Sequence, residues 1–462
     1  RHAPPGRDAA PGRDAAPGTG EDNPPMTAAT QGLPAEDTAT SLPRLLPRDG
    51  QRPEHWHAHT ARHGRLPYRD RRGDLIGDLS AAGLTGRGGA AFPVHRKLSA
   101  VLDAAGKRRR APVVIANGAE SEPASEKDAT LLWLAPHLVL DGLQLAAEAV
   151  GADQAILYTH VDRRNDVGRR LRQAIAERVA VGADRVAVQL AEAPPRFLSG
   201  QETALVSHLA GGPAIPTFMP PRITERGLLG APTLVQNAET LAHVALIARH
   251  GPRWFRQVGT AAEPGSMLCT IRRADGAPRV VEVPLGMPLK ALISDVRADQ
   301  AVLIGGYHGS WLPAIEAVRL TLDNQSLAAA GARVGAGILL APPPDRCALI
   351  ETAAVVRYLA LESAGQCGPC LNGLPRMAAA LTEIAVGRQR GQTQADVERW
   401  AGLVTGRGAC HHPDGTARFV RSALITFAAE VSRHQRGQCT GTSKRPFLPI
   451  PHGSARTEED WV

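Results

Sequence analysis

The chain lacks any apolar run long enough to span a bilayer. Its N-terminus lacks the charged, apolar and small-residue regions of a secretory signal. Both absences point to a cytoplasmic protein. Cysteine is sparse, with six residues at 269, 347, 367, 370, 410 and 439. Scattered in this way they form no disulfide framework, and a reducing compartment favours a metal over a bridge. Lysine is also scarce: almost all of the 53 cationic side chains are arginine, and the net charge is +8. Little Lys with abundant Ala, Gly, Pro and Arg is what a GC-rich coding genome yields. The basic balance therefore requires no nucleic acid as partner. No compact basic run is interleaved with aromatics, and Lys107-Arg108-Arg109-Arg110 is one short turn.

The 462 residues divide by pattern. Residues 1–60 read as a disordered N-terminal segment, with a tandem Pro-Gly-Arg-Asp-Ala-Ala repeat at 5–10 and 11–16. Met26 is a candidate start, which would make the repeat a mis-called leader. Residues 436–462 read as a disordered tail. In 61–250, strand-like runs at 113–115, 155–158 and 186–190 alternate with helical patterns at 137–150 and 164–180. This alternation predicts an α/β domain with a parallel sheet and crossover helices. In 251–335 the runs are shorter: a hairpin from 267–271 and 280–283, a short helix at 288–296 and a strand at 302–304. In 345–435 the pattern is all helical, with segments 347–363, 374–388, 394–404 and 416–434. Short connections predict an antiparallel four-helix bundle.

Three cysteines look like a metal site with a ligand missing. Cys367 and Cys370 form Cys-Gly-Pro-Cys after the first helix of the bundle, and Cys410 precedes its fourth. An up-down-up-down bundle brings those two loops to the same end. Thiolates at such spacing hold iron–sulfur or zinc; free structural thiols and a redox dithiol are the other readings. A Cys-x-x-Cys-x-x-Cys run would begin at position 364, which is Ala364. His411 and His412 adjoin Cys410 and read as surface residues or a substitute ligand.

Four further motifs lie in the α/β region. The run 83–93, with Gly86, Arg87, Gly88, Phe92 and then Lys97, is a glycine-rich loop whose backbone can approach a phosphate or a flat ring. Asn117, Glu120 and Glu122 follow the strand at 113–115, where ligands of open α/β sheets sit. Gly200, Gln201 and Glu202 follow a strand-like run at 196–199 and read equally well as a helix N-terminus. Asn237 and Thr240 stand at a loop-to-helix junction, where each could be a plain cap.

Taken in this order, the five motifs resemble the flavoprotein subunit of respiratory complex I and its relatives in NAD-linked hydrogenases and formate dehydrogenases. The similarity spans about 75–435. It implies a Rossmann-like FMN-binding domain, a ubiquitin-like β-grasp module and a four-helix bundle carrying a [4Fe–4S] cluster. It implies electron transfer from NADH or NADPH through FMN to the cluster. From there electrons would pass to a thioredoxin-like [2Fe–2S] subunit or a ferredoxin, with membrane association only through partners. By resemblance, Gly86, Arg87, Gly88, Lys97, Asn117, Gly200, Asn237 and Thr240 cradle FMN. Phe92 stacks on the nicotinamide side, Glu120, Glu122 and Glu202 contact the dinucleotide, and Cys367, Cys370 and Cys410 hold the cluster.

Several positions depart from the family. Ala119 replaces an Asp, Gln201 a Glu and Gln236 an Asn. Ala100 and Arg222 stand where the family clamps adenine with Phe, and Met219 replaces a Lys. An aromatic pair contributes about 0.5–1.5 kcal/mol beyond area burial, so this clamp is weakened. Arg222 could itself stack on adenine and would suit a ribose phosphate. Ala364 leaves three outcomes: a three-ligand [4Fe–4S], a [3Fe–4S] or an empty site. Cys347 and Cys439 are the nearby substitutes, neither an obvious one. The alternative function is a non-catalytic scaffold that has lost NADH or cluster binding.

Overall fold

The computed structural model describes residues 42–451 other than 49, 51, 70, 71, 162–165, 275, 276, 389–392 and 444, together with residue 461. The tandem repeat, Met26 and most of the expected N-terminal disordered segment lie outside the described residues.

Four parallel strands form the first sheet: β1 Val113–Asn117, β2 Gln154–Thr159, β3 Val188–Glu192 and β4 Thr233–Asn237, in the order β3-β2-β1-β4. The Val-Val-Ile run of β1 is fully buried, as strands covered on both faces require. Helices Lys127–Leu134 and Pro136–Val150 connect β1 to β2, and Val167–Ala180 connects β2 to β3. Helix Ala238–Phe255 follows β4 and packs directly on Pro136–Val150. Gly142 permits that approach, since a Cβ there would lie 1.9 Å from the Leu241 carbonyl oxygen. Asn117 pairs in register with Asn237, so the carboxyl ends of β1 and β4 lie side by side.

Two local expectations are corrected. Residues 196–199 are a turn, not a strand: Ser199 N–H donates to the Arg196 carbonyl at 3.1 Å, and the segment follows two prolines. Residues 233–237, for which no strand was expected, are β4, while Asn237 at its end is the cap of the helix that follows, as its position suggested.

The second module is a five-stranded mixed sheet. Its strands are β5 Ser266–Arg272, β6 Pro278–Pro284, β7 Ala301–Ile304, β8 Ser310–Pro313 and β9 Ile338–Leu340, in the order β6-β5-β9-β7-β8. The expected β5–β6 hairpin is antiparallel, and β9 inserts parallel to β5. The expected helix at 288–296 is one turn, Leu289–Leu292.

The helical region contains Ala348–Leu361, Leu374–Ala385, Thr393–Val404 and His412–Thr426, each packed on the next and the first on the fourth. The expected last segment, 416–434, is broken at Phe427, and a fifth helix runs Ala428–Gln435.

Both ends expected to be disordered are ordered where they are described. Leu45 and Leu46 are buried, and the backbone N–H groups of Arg44 and Leu45 donate to the Glu282 carboxylate at 2.7 and 2.8 Å. Trp56–His63 is a helix. In the tail, Phe447 and Leu448 donate their N–H groups to Glu351 at 2.8 and 2.9 Å. Average polarity concealed these anchors: a few leucines and two carboxylates that collect backbone donors. Among the described residues no single helix is long and apolar enough to cross a membrane. The bent pair Lys127–Leu134 and Pro136–Val150 passes that test by composition, and both members are almost wholly buried in the first domain.

Candidate functional site

The glycine loop is closed on itself. Gly86 N–H donates to the Phe92 carbonyl at 2.9 Å, and Thr85 bridges to Pro93. Arg87 fixes the loop: its N–H donates to Thr240 Oγ1 at 2.9 Å, and its buried guanidinium donates to Thr85 Oγ1 at 2.9 Å and the Ser266 carbonyl at 3.2 Å. That guanidinium faces β5, so its charge is spent on bracing the loop. Gly88 lies against Asn237, where a Cβ would sit 3.3 Å from the Asn237 Cβ. Asn237 caps Ala238–Phe255 by accepting from Glu239 N–H at 3.0 Å, while its Nδ2 donates to Asp128 at 2.7 Å.

Across the strand ends, Asn117 Nδ2 donates to the Gly200 carbonyl at 2.8 Å. Gly200 is pressed on the loop after β1, where a Cβ would lie 2.7 Å from the Ala119 carbonyl oxygen. Gln201 is the N-cap of Glu202–Leu209, accepting from Thr203 and Ala204 N–H groups at 2.9 Å. The glycine loop, Asn117, Gly200 and Asn237 therefore converge outside the carboxyl ends of β1 and β4.

The acids divide into two kinds. Glu120 accepts from the N–H groups of Asp128 and Ala129 at 3.1 and 2.9 Å. Glu122 accepts from Tyr307 N–H at 3.0 Å, tying the loop after β1 to the second module. Burial pushes Glu120 up to about 7, with Asp128 adding to it, and pushes Glu122 up to about 8. Glu202 is the open one: its side chain is 46% exposed and pairs with Lys97. Phe92 is also half exposed.

The three thiols lie at one end of the helical region, near enough for Cys367 and Cys410 both to act on Cys370, as the bundle topology requires. Cys370 sits in the single wide helical turn Pro369–Gly373, its thiol pushed up by burial, then by Cys367, with Cys410 adding to it and Ser363 opposing. Burial likewise raises the Cys410 thiol. His412 is buried rather than on the surface, and both nitrogens are engaged: Nε2 lies 2.8 Å from the Leu359 carbonyl and Nδ1 3.1 Å from His308. It is therefore not the missing ligand. His411 is exposed and lies 3.3 Å from Asp414.

The loops at the strand ends and the thiols share a joint. Arg196, in the turn leading to Gly200, pairs with Glu362 at 3.2 Å, and both side chains are buried. Phe197 N–H also donates to Glu362, at 2.9 Å. Glu362 caps the end of Ala348–Leu361, five residues before Cys367.

Residues 79–246 match the Nuo51 FMN-binding domain family, and residues 351–434 match the NADH-ubiquinone oxidoreductase-F iron–sulfur binding region. The F 2 subunit of the NADH-quinone oxidoreductase of Rhizobium meliloti (strain 1021) is 30% identical over 377 residues, covering 78% of this chain and 88% of that protein. The chain belongs to the flavoprotein family of complex I and NAD-linked hydrogenases. The F-type subunit of the Streptomyces coelicolor NADH-quinone oxidoreductase is 29% identical over 379 residues, covering 79% and 84%. The crystal structure of an NAD+-reducing [NiFe]-hydrogenase in the H2-reduced state aligns with a TM-score of 0.71 at 28% identity, over 79% of this chain. The chain spans 63% of that hydrogenase chain.

This flavoprotein is thus an FMN- and iron–sulfur-binding oxidoreductase subunit of the NADH dehydrogenase type. Its own atoms fit those groups. Gly88 and Gly200 let the glycine loop close on Asn237 and the turn at Gly200 close on the loop after β1, which draws the backbone of all three segments together at the strand ends. The buried Gln236 Nε2, one residue before Asn237, has no hydrogen-bond partner among the described residues. The three thiols supply iron–sulfur ligand chemistry.

Sequence reasoning missed the layer beneath the cradle. Lys127 Nζ donates to Asp128 at 2.8 Å and Glu239 at 2.9 Å, with all three buried. Despite burial, Asp128 and Glu239 hold Lys127 above its ordinary value, and Lys127 holds Glu239 down to about 2. Glu239 stands inside a motif already singled out, and Lys127 is one of very few lysines. Those were the available signals.

Proposed function

We propose that FMN lies outside the carboxyl ends of β1 and β4, with Gly86, Gly88, Lys97, Asn117, Gly200, Asn237 and Thr240 around it. Arg87 braces the glycine loop from behind. Phe92, half exposed, offers a face for the nicotinamide side of NADH or NADPH. Glu202, held by Lys97, stands where a dinucleotide hydroxyl or amide would be met, and Glu120 and Glu122 hold the shape of the loop after β1. When bound, FMN accepts an electron pair as hydride and releases single electrons, which is the step an iron–sulfur acceptor needs.

The domain reading belongs to this proposal: an FMN and dinucleotide domain over about 61–250, a ubiquitin-like β-grasp module over 251–335 and a cluster-bearing helical domain over 345–435 whose first four helices make the bundle. Cys367, Cys370 and Cys410 would hold an incompletely ligated [4Fe–4S] or a [3Fe–4S] cluster. The next acceptor is a thioredoxin-like [2Fe–2S] subunit or a ferredoxin, with the protein cytoplasmic and peripheral to the membrane through its partners. The observation that carries this reading is the Arg196–Glu362 pair, which joins the turn before Gly200 to the segment before Cys367. A scaffold without cofactors is disfavoured by the retained cradle and thiols.

Anaerobic titration with NADH and, separately, NADPH tests the donor. Bleaching of flavin absorbance by one of them identifies it; bleaching by neither contradicts the assignment.

A further inference from the structure

We propose that Cys347, Glu430, His434 and Cys439 form a structural zinc site that fastens the C-terminal tail to the helical region. One ligand atom from each of the four lies within 4.8 Å of all the others. Cys347 is the N-cap of Ala348–Leu361, Glu430 and His434 are one turn apart on Ala428–Gln435, and Cys439 lies in the loop that follows. The site is distinct from the cluster thiols. Cys347 starts the helix whose other end leads to Cys367, and its 14 residues extend about 21 Å at about 1.5 Å each. Cys347 and Cys439 are therefore too far away to replace the ligand absent at Ala364.

The geometry fits a four-coordinate ion. Zn–S bonds near 2.3 Å and Zn–N and Zn–O bonds near 2.0–2.2 Å set tetrahedral edges of about 3.3–3.8 Å. His434 Nε2 lies 3.1 Å from Glu430 Oε1 and 3.4 Å from Cys347 Sγ, and Cys347 Sγ lies 3.7 Å from Glu430 Oε1. His434 Nδ1 is 2.7 Å from the Ala385 carbonyl, so that nitrogen carries the proton and Nε2 directs its lone pair at the centre. Glu430 is held by Thr440 N–H at 2.8 Å on Oε1 and by Arg433 at 3.2 Å on Oε2. Two thiolates and an imidazole select zinc over magnesium or calcium, which take oxygen ligands. Cys347, Glu430 and His434 are buried while Cys439 is exposed, which gives the ion a way in. Binding releases the two thiol protons to solvent.

The consequence is mechanical. Beyond Cys439 the tail returns along the first helix: Thr442 and Ser443 donate to the Asp345 carbonyl at 3.0 Å, and Tyr307 Oη donates to the Pro449 carbonyl at 2.6 Å. The ion would fix the start of that path.

The test is metal analysis of the full chain purified anaerobically in zinc-containing medium, wild type against His434→Gln and Cys439→Ser. About one zinc per chain is expected in the wild type, falling at least about tenfold in each variant with iron and flavin unchanged. Cobalt exchanged into the wild-type protein should give thiolate-to-metal charge-transfer absorption, a readout that does not depend on a variant folding. Substoichiometric zinc after reconstitution, zinc retained in both variants, loss of iron with the zinc, a Cys347–Cys439 disulfide in the anaerobic wild type, or no charge-transfer band would overturn the proposal. Failure here leaves the flavin and cluster reading standing, since that reading uses none of these four residues.

Discussion

Arg196 Nε lies 3.2 Å from Glu362 Oε2, with both side chains shut away from solvent, and this pair joins the first domain to the helical region just before the thiols. A buried ion pair is weak evidence for stability as a whole, but removing one partner strands the other. Glu362→Gln should therefore cost about 3–5 kcal/mol and lower the iron content more than the flavin content. Urea denaturation with iron and flavin analysis of the same preparation checks both. A variant of wild-type stability and full iron content would show that the joint is incidental.

Gly200→Ala tests the cradle. The new Cβ would meet the Ala119 carbonyl oxygen at 2.7 Å and Ser121 Oγ at 3.0 Å, and backbone must shift to relieve it. The expected cost is about 1–3 kcal/mol, with flavin per chain reduced and iron little changed. Unchanged flavin content would place FMN elsewhere.

Glu122 predicts a pH dependence. Its ordinary value is 4.5 and burial raises it to about 8 in the folded chain. Between those values the unfolded chain gives up a proton that the folded chain keeps, so stability falls as pH rises. Wild type should lose stability from pH 5 to pH 8 relative to Glu122→Gln, by the order of a few kcal/mol. Parallel urea midpoints for the two proteins would refute the raised value.

Ala364→Cys restores the Cys-x-x-Cys-x-x-Cys run. Ser363, its neighbour, acts on the Cys370 thiol, which puts this segment at the cluster end. The variant should hold more iron than the parent and keep it longer in air. Equal iron in the two proteins would remove the cluster from this site.

Much of this was legible in the sequence where local pattern and final environment agree. The Val113–Ile115 run is a buried strand, and the loops carrying Cys367, Cys370 and Cys410 meet because alternating helices return to the same end. What escaped depends on distant partners. Pro194 and Pro195 hint locally at a turn over Arg196–Ser199, but nothing local names Glu362, 165 positions away from Phe197, as the group that holds it. Leu45 and Leu46 look isolated until the Glu282 carboxylate, 237 residues from Leu45, collects their segment's N–H groups. Likewise Arg87 reads as a phosphate-binding cation until Ser266 at the start of β5 and Pro264 just before it supply carbonyl acceptors.

The central claim is that one chain passes electrons from a nicotinamide donor through flavin to a cluster on Cys367, Cys370 and Cys410. Absorbance and EPR spectra of anaerobically purified protein, before and after reduction with NADH or NADPH, test it most directly. The account predicts flavin absorbance that bleaches with one of the two nucleotides, together with a change in an iron–sulfur EPR signal. A protein with neither flavin nor iron, or one whose flavin and cluster both stay oxidised with either nucleotide, would contradict it.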